Sequence, residues 1–153
     1  MQISVYCENK TIVTGVYENS FEHANPPIES SAVIEHKLYW SSVANENEGL
    51  YLASILNSET VRSRTAGLQS RGQWGARDFD KVVFTLPIPA FTPSITLHAD
   101  LAKAAREAEA VAAAVSLPEK VKFQQARTLI RSALAAAGVA SRIEGLVTQV
   151  LDG

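Results

Sequence analysis

A chain of 153 residues is long enough for one domain with its own core, and 46% hydrophobic with 20% charged residues excludes an unstructured polyelectrolyte. The net charge of −2 says nothing in favour of nucleic acid. The single cysteine, Cys7, excludes an intramolecular disulfide and argues against a structural zinc site.

Charge is unevenly distributed. Residues 1–61 carry a local balance of −6, residues 62–81 one of +3, and residues 82–153 one of +1. A focused basic segment on a mildly acidic body suits a local anion contact. Met1-Gln-Ile-Ser lacks the charged and apolar regions of a signal peptide. The Ala-rich run 104–115 is interrupted by Arg106, Glu107 and Glu109, too polar to span a bilayer. The expectation is a cytoplasmic protein without a membrane partner.

In chain order, residues 2–7 and 11–17 alternate and are β-branched, which predicts a hairpin across Glu8-Asn-Lys. Residues 18–31 are polar, with Pro26-Pro27, and read as a loop. Residues 32–43 read as a strand. Asn45-Glu-Asn-Glu48 supplies a cap and first-turn acids for a helix, whose apolar face continues through Leu52, Ile55, Leu56 and Val61, with a break at Asn57-Ser58. After the loop 68–81 the apolar run Val82–Leu86 reads as a strand closed by Pro87 and Pro89. From Leu97 the spacing turns helical: one helix is ended by Pro118, a second with Phe123, Ala126, Leu129, Ile130, Ala133 and Leu134 is stopped by Gly138, and a third is opened by the capping box Ser141-Arg-Ile-Glu144. The expected fold class is α+β. A small mixed sheet with short helices (1–96) precedes a C-terminal helical hairpin plus short helix (97–153), the two forming one unit.

Several motifs invite chemistry and fail on their surroundings. Asn25-Pro-Pro-Ile28 has the start of an amino-methyltransferase motif, but Ile28 replaces the aromatic that stacks on a flipped base, and no Gly-rich strand–loop–helix precedes it. His23, His36 and His98 stand on separate elements without a second ligand at metal spacing. Asp78 and Asp80 lack the Glu-x-Lys of a nuclease. Ser41, Ser42 and Ser70 lack a nucleophile elbow. No catalytic residue, metal or cofactor is expected, and the chain is not read as an enzyme on its own.

The segment Leu68-Gln-Ser-Arg-Gly-Gln-Trp-Gly-Ala-Arg-Asp-Phe-Asp-Lys81 carries the strongest signal. Arginine pairs with guanine O6/N7 and an amide with adenine N6/N7. Lysine and arginine hold phosphates, and glycine lets backbone approach a large ligand. Arg71 and Arg77 are therefore the candidate guanine readers, Gln73 the adenine reader and Trp74 the wedge or stacking ring. Arg62, Arg64 and Lys81 are the phosphate contacts.

The order of pieces also resembles a known family. Leu38-Tyr-Trp40, Tyr51-Leu-Ala-Ser-Ile-Leu-Asn-Ser58, Gln69-Ser-Arg-Gly-Gln-Trp-Gly-Ala-Arg-Asp-Phe79 and Leu86-Pro-Ile-Pro89, leading to Leu97-His-Ala-Asp-Leu101, are similar to the C-terminal target-recognition domain of N6-adenine DNA methyltransferase-like restriction–modification proteins. Type I restriction specificity subunits share the logic more loosely. The matching motifs span about residues 37–115. The resemblance implies loops that enter the major groove of double-stranded DNA and C-terminal helices that dock on a catalytic methyltransferase or nuclease polypeptide. The catalytic methyltransferase region itself has no counterpart in these 153 residues. The alternative reading is a protein-interaction or scaffold subunit that uses helices 97–152 to bind a partner or its own copy as a homodimer.

Overall fold

The computed structural model of the chain describes residues 43–68 and 85–153. Five helices make up 68% of these residues and none of them lies in a strand. The expectation of an α+β fold is corrected accordingly: the described part is all-helical. The hairpin expected over 2–17 and the residues 18–42 lie outside it.

Helix α1, Glu46–Leu56, begins where local chemistry asks it to. The Asn45 side chain accepts from the Glu48 amide at 3.1 Å, and the Glu48 carboxylate accepts from the Ala44 amide at 2.6 Å. Glu46 and Glu48 also set negative charge against the positive end of the helix. Leu50, Tyr51, Ser54 and Ile55 share one buried face, as spacings of three and four residues require. Asn57 closes the helix, and Ser58 caps the next one, α2, Glu59–Ala66. The buried Ser58 hydroxyl donates to the Ile55 carbonyl at 2.7 Å and accepts from the Val61 amide at 3.1 Å, so one side chain joins two helices.

The strand expected over 82–86 is also corrected where it can be seen. Thr85 and Leu86 lie in a turn, and the Ile88 amide donates back to the Leu86 carbonyl at 2.8 Å. Pro87 and Pro89 have no N–H to give to a sheet ladder, so the apolar side chains here are used one at a time. Leu86, Ile88 and Phe91 pack individually against the helical core.

Helix α3, Thr96–Ala113, buries His98, Leu101, Ala102, Ala104 and Ala105. Three buried alanines on one face leave little bulk between this helix and its neighbours. The helix ends at Ala113, five residues before Pro118, so the proline sets an outer limit and not the boundary. Helix α4 spans Phe123–Ala136 and α5 spans Val139–Asp152. Gly138, at φ +71°, provides the left-handed turn between them, and their axes meet at 77°. The last helix is therefore as long as α4 and starts two residues before the predicted cap at Ser141.

The core is assembled from α1, α2, α3 and α5: Leu50, Tyr51, Ile55, Leu56, Val61, Leu101, Ala102, Ala105, Val147, Val150 and Leu151. Residues on both sides of position 97 thus bury each other. No residue of α4 is buried. Ion pairs Arg106–Glu46 and Arg142–Glu107 stitch α1 to α3 and α3 to α5 across the surface. Exposed pairs of this kind contribute little stability and mainly set which helices face each other. The Glu46 contact holds the Arg106 guanidinium above its ordinary range. Glu109 is pushed up by desolvation and by the nearby Glu46 carboxylate.

Candidate nucleic-acid interface

Of the residues singled out by sequence, Arg71, Gln73, Trp74, Arg77 and Lys81 lie outside the described residues, as do His23 and His36. The described residues nearest to them in sequence are α2 on one side and residues 85–98 on the other.

On the first flank, Arg62 and Arg64 both face carboxylates. Arg62 pairs with Glu59 one turn earlier on α2. Arg64 Nη2 lies 2.6 Å from Asp152 Oδ1 at the end of α5. Both are at least a third exposed, so each can meet an anion only in competition with its own partner. The opposite end of α2 is held by a residue whose importance the sequence does not announce. Glu144, on α5, accepts from the backbone amides of Glu59 at 2.7 Å and Thr60 at 3.0 Å, and from the Thr60 hydroxyl at 2.9 Å. With Ser58 accepting from Val61, the first three amides of α2 all have acceptors. The carboxylate also lies at the positive end of the helix dipole. The sequence pattern makes Glu144 half of a capping box for its own helix, whereas its observed role is to cap a helix 85 residues away in sequence.

On the second flank, the Tyr51 hydroxyl donates to the Pro89 carbonyl at 3.0 Å, and the Thr92 amide donates to His98 Nδ1 at 3.1 Å. Three rings close the junction: Tyr51 and His98 at 4.7 Å between centroids, Tyr51 and Phe91 at 5.5 Å, Phe91 and His98 at 6.2 Å. Burial pushes the Tyr51 phenol up to about 12, so it remains a donor at any ordinary pH. His98 is almost fully buried and acts as a backbone acceptor, which fixes its hydrogen on Nε2. Its position in this packing is that of a structural fastener.

Before position 69 the described chain is thus tied to α5 through α2, and after position 84 it is tied to α1 and α3 through residues 86–92. Among the described residues no group of three or more His, Cys, Asp and Glu could hold a metal ion, and no single helix is long and apolar enough to cross a membrane.

A second cationic surface stands apart from these flanks. Residues 120–131, Lys-Val-Lys-Phe-Gln-Gln-Ala-Arg-Thr-Leu-Ile-Arg, contain four cations and no acid. Lys120, Lys122 and Arg131 are exposed and have no carboxylate partner among the described residues. The Arg127 guanidinium lies 5.4 Å from the centre of the Phe123 ring. The sequence signal for this surface is an acid-free run, obscured by the near-neutral balance of the C-terminal half.

No protein-family model, no curated protein and no solved structure matches this chain.

Proposed function

We propose that this chain is a non-catalytic DNA sequence-recognition module of a restriction–modification or DNA methyltransferase system. The observation that carries the reading is that described residues on both sides of segment 69–84 are tied to the helical core. A segment that has to place side chains against base edges needs firm supports: on one side Arg64 pairs with Asp152 and Glu144 holds the N-terminal amides of α2, and on the other Tyr51 and His98 hold Pro89 and Thr92. The side chains between those supports, Arg71, Gln73, Trp74 and Arg77, are the types that read or wedge base pairs, and Lys81 is suited to a phosphate. Methylation or cleavage belongs to a separate catalytic polypeptide.

Removing one base-reading arginine costs about 1–3 kcal/mol on the cognate duplex and relaxes a single position. The test compares Arg71→Ala and Arg77→Ala with wild type on selected and random duplexes by fluorescence anisotropy. If both variants bind every duplex as wild type does, those base-reading roles are wrong.

A second reading, a protein-interaction subunit, is favoured by one observation. Leu117, between α3 and α4, and Leu129, on α4, are more than 40% exposed. Large apolar side chains left open on neighbouring segments suit the docking of a partner polypeptide. Co-expression with a candidate methyltransferase, followed by light scattering on wild type and Leu129→Asp, tests it. A stable complex that the aspartate abolishes supports docking through this side, and a monomer that never co-purifies opposes it.

A further inference from the structure

We propose that α4 and its lead-in are a docking surface for an acidic, amphipathic segment of a partner polypeptide. That segment lays apolar side chains along Phe123 and sets carboxylates against Lys120, Lys122 and Arg131. The inference rests on the interaction reading above and names the chemistry of the partner.

The surface combines an incompletely covered apolar row with cations that no local acid answers. Phe123, Ile130 and Leu134 are spaced by seven and four residues and so lie along one side of α4. Helix α4 packs on α3 and α5, yet Ile130 and Leu134 are only half-buried, and Phe123, at the start of the row, is 66% exposed. The C-terminal half of α3 repeats the pattern. Ala108, Val111 and Ala112 are half-buried there, whereas Leu101 and Ala105 in the first half are buried. Lys120 and Lys122 stand just ahead of Phe123, and Arg131 follows Ile130 at the edge of the row. All three are exposed and have no carboxylate partner among the described residues. Arg127, half-buried and set over the Phe123 ring, is already engaged. Between Glu119 and Glu144 the chain contains no acid.

Charge and apolar surface together select the occupant. An aromatic anchor ringed by charge is the anatomy of a protein interface, with an apolar centre and a polar rim. A nucleic acid would use the cations and the Phe123 ring, one face of which Arg127 already covers, and would leave the aliphatic row of Ile130 and Leu134 unused. A flat bilayer reaches Phe123 but not the far end of the row, which turns toward α3 and α5. A second copy docked through the same surface would set Lys120, Lys122 and Arg131 against like charge. Its described acids Glu46, Glu59, Glu107 and Asp152 are already taken up by arginines. The complement that satisfies both features is a segment with carboxylates on one side and apolar residues at helical spacing on the other, laid along the row as a helix.

The experiment pans the full chain against a displayed library of random ~16-residue peptides, about four helical turns. Enriched peptides are then titrated by fluorescence anisotropy against wild type, the triple variant Lys120→Gln/Lys122→Gln/Arg131→Gln, and Phe123→Ser. The altered side chains are exposed, and circular dichroism melting first establishes that both variants fold as wild type does. The expected result is enrichment of peptides with net negative charge and apolar residues three and four positions apart. Their affinity falls about ten-fold in the triple variant and comparably in Phe123→Ser, and it weakens as salt is added. Enriched peptides without net negative charge, or acidic peptides that bind both variants as they bind wild type, overturn the inference and leave the interaction reading standing. If no peptide is enriched the inference fails, and the interaction reading then stands or falls with the co-expression test above. If duplex DNA, single-stranded DNA or phosphatidylserine vesicles bind through these residues and no acidic peptide does, the surface belongs to another anionic partner and the inference fails.

Discussion

At the scale of single residues, the chain's stability depends on a few polar contacts between distant elements. Glu144 holds the first two amides of α2 and the Thr60 hydroxyl. Glu144→Ala therefore leaves helix-end donors unmet and costs about 1–2 kcal/mol, read as a lower urea midpoint. Glu144→Gln keeps an acceptor and the shape, and costs less. Gly138 adopts φ +71° with open space around its Cα, so Gly138→Ala suffers only backbone strain, about 1–2 kcal/mol. Tyr51 makes a pH-dependent contribution. Its phenol ionises near 12 when folded and near 10 when unfolded, so between these values the unfolded chain is the first to give up the proton. The stabilisation is complete below about pH 10 and is lost as pH rises toward about 12. Tyr51→Phe costs about 1 kcal/mol at neutral pH, because the Pro89 carbonyl loses its donor. In this variant the decline between pH 10 and 12 is shallower than in wild type, a difference that parallel urea titrations resolve.

At the scale of elements, the helices differ in how firmly they are held. Helix α3 sits in the core with five buried residues, while α4 buries none. Amides of α4 accordingly exchange with solvent roughly ten-fold faster or more than those of α3. Hydrogen-exchange mass spectrometry reads this directly, and equal protection of the two helices would contradict the packing described. The same contrast separates what the sequence reveals from what it conceals. Asn45, Ser58 and Gly138 are legible because a cap or a left-handed turn is decided by neighbouring residues. Glu144 misleads because Ser141-x-x-Glu144 satisfies a local pattern, while the amides it serves belong to Glu59 and Thr60. Pro118 marks a place the helix cannot pass, though α3 stops earlier, at Ala113. The apolar run that suggests a strand is a weak guide next to prolines: Leu86 and Ile88 pack singly on helices because Pro87 and Pro89 forbid a ladder. Of the candidate site, Arg62 and Arg64 do lie on the helix that precedes the loop. The Arg62 partner, Glu59, is a local neighbour one turn away, whereas the Arg64 partner, Asp152, lies 88 residues away and is not legible in the sequence.

At the scale of the whole molecule, the arrangement is a helical body whose core ties down described residues on both sides of the basic, glycine-containing sequence 69–84. On the proposed reading, Arg71, Gln73 and Arg77 set which sequence is bound. On the same reading the tie at Pro89 contributes to recognition: Tyr51→Phe removes its hydrogen bond, and sequencing of the bound pool shows a blurred motif with affinity for random DNA little changed. The most direct test of recognition is fluorescence anisotropy of the purified chain against a randomised ~20 bp duplex pool at low and moderate salt, with the bound fraction sequenced. Salt-sensitive binding that enriches one motif is the predicted result, and failure to bind at low salt, or binding without enrichment, would contradict it.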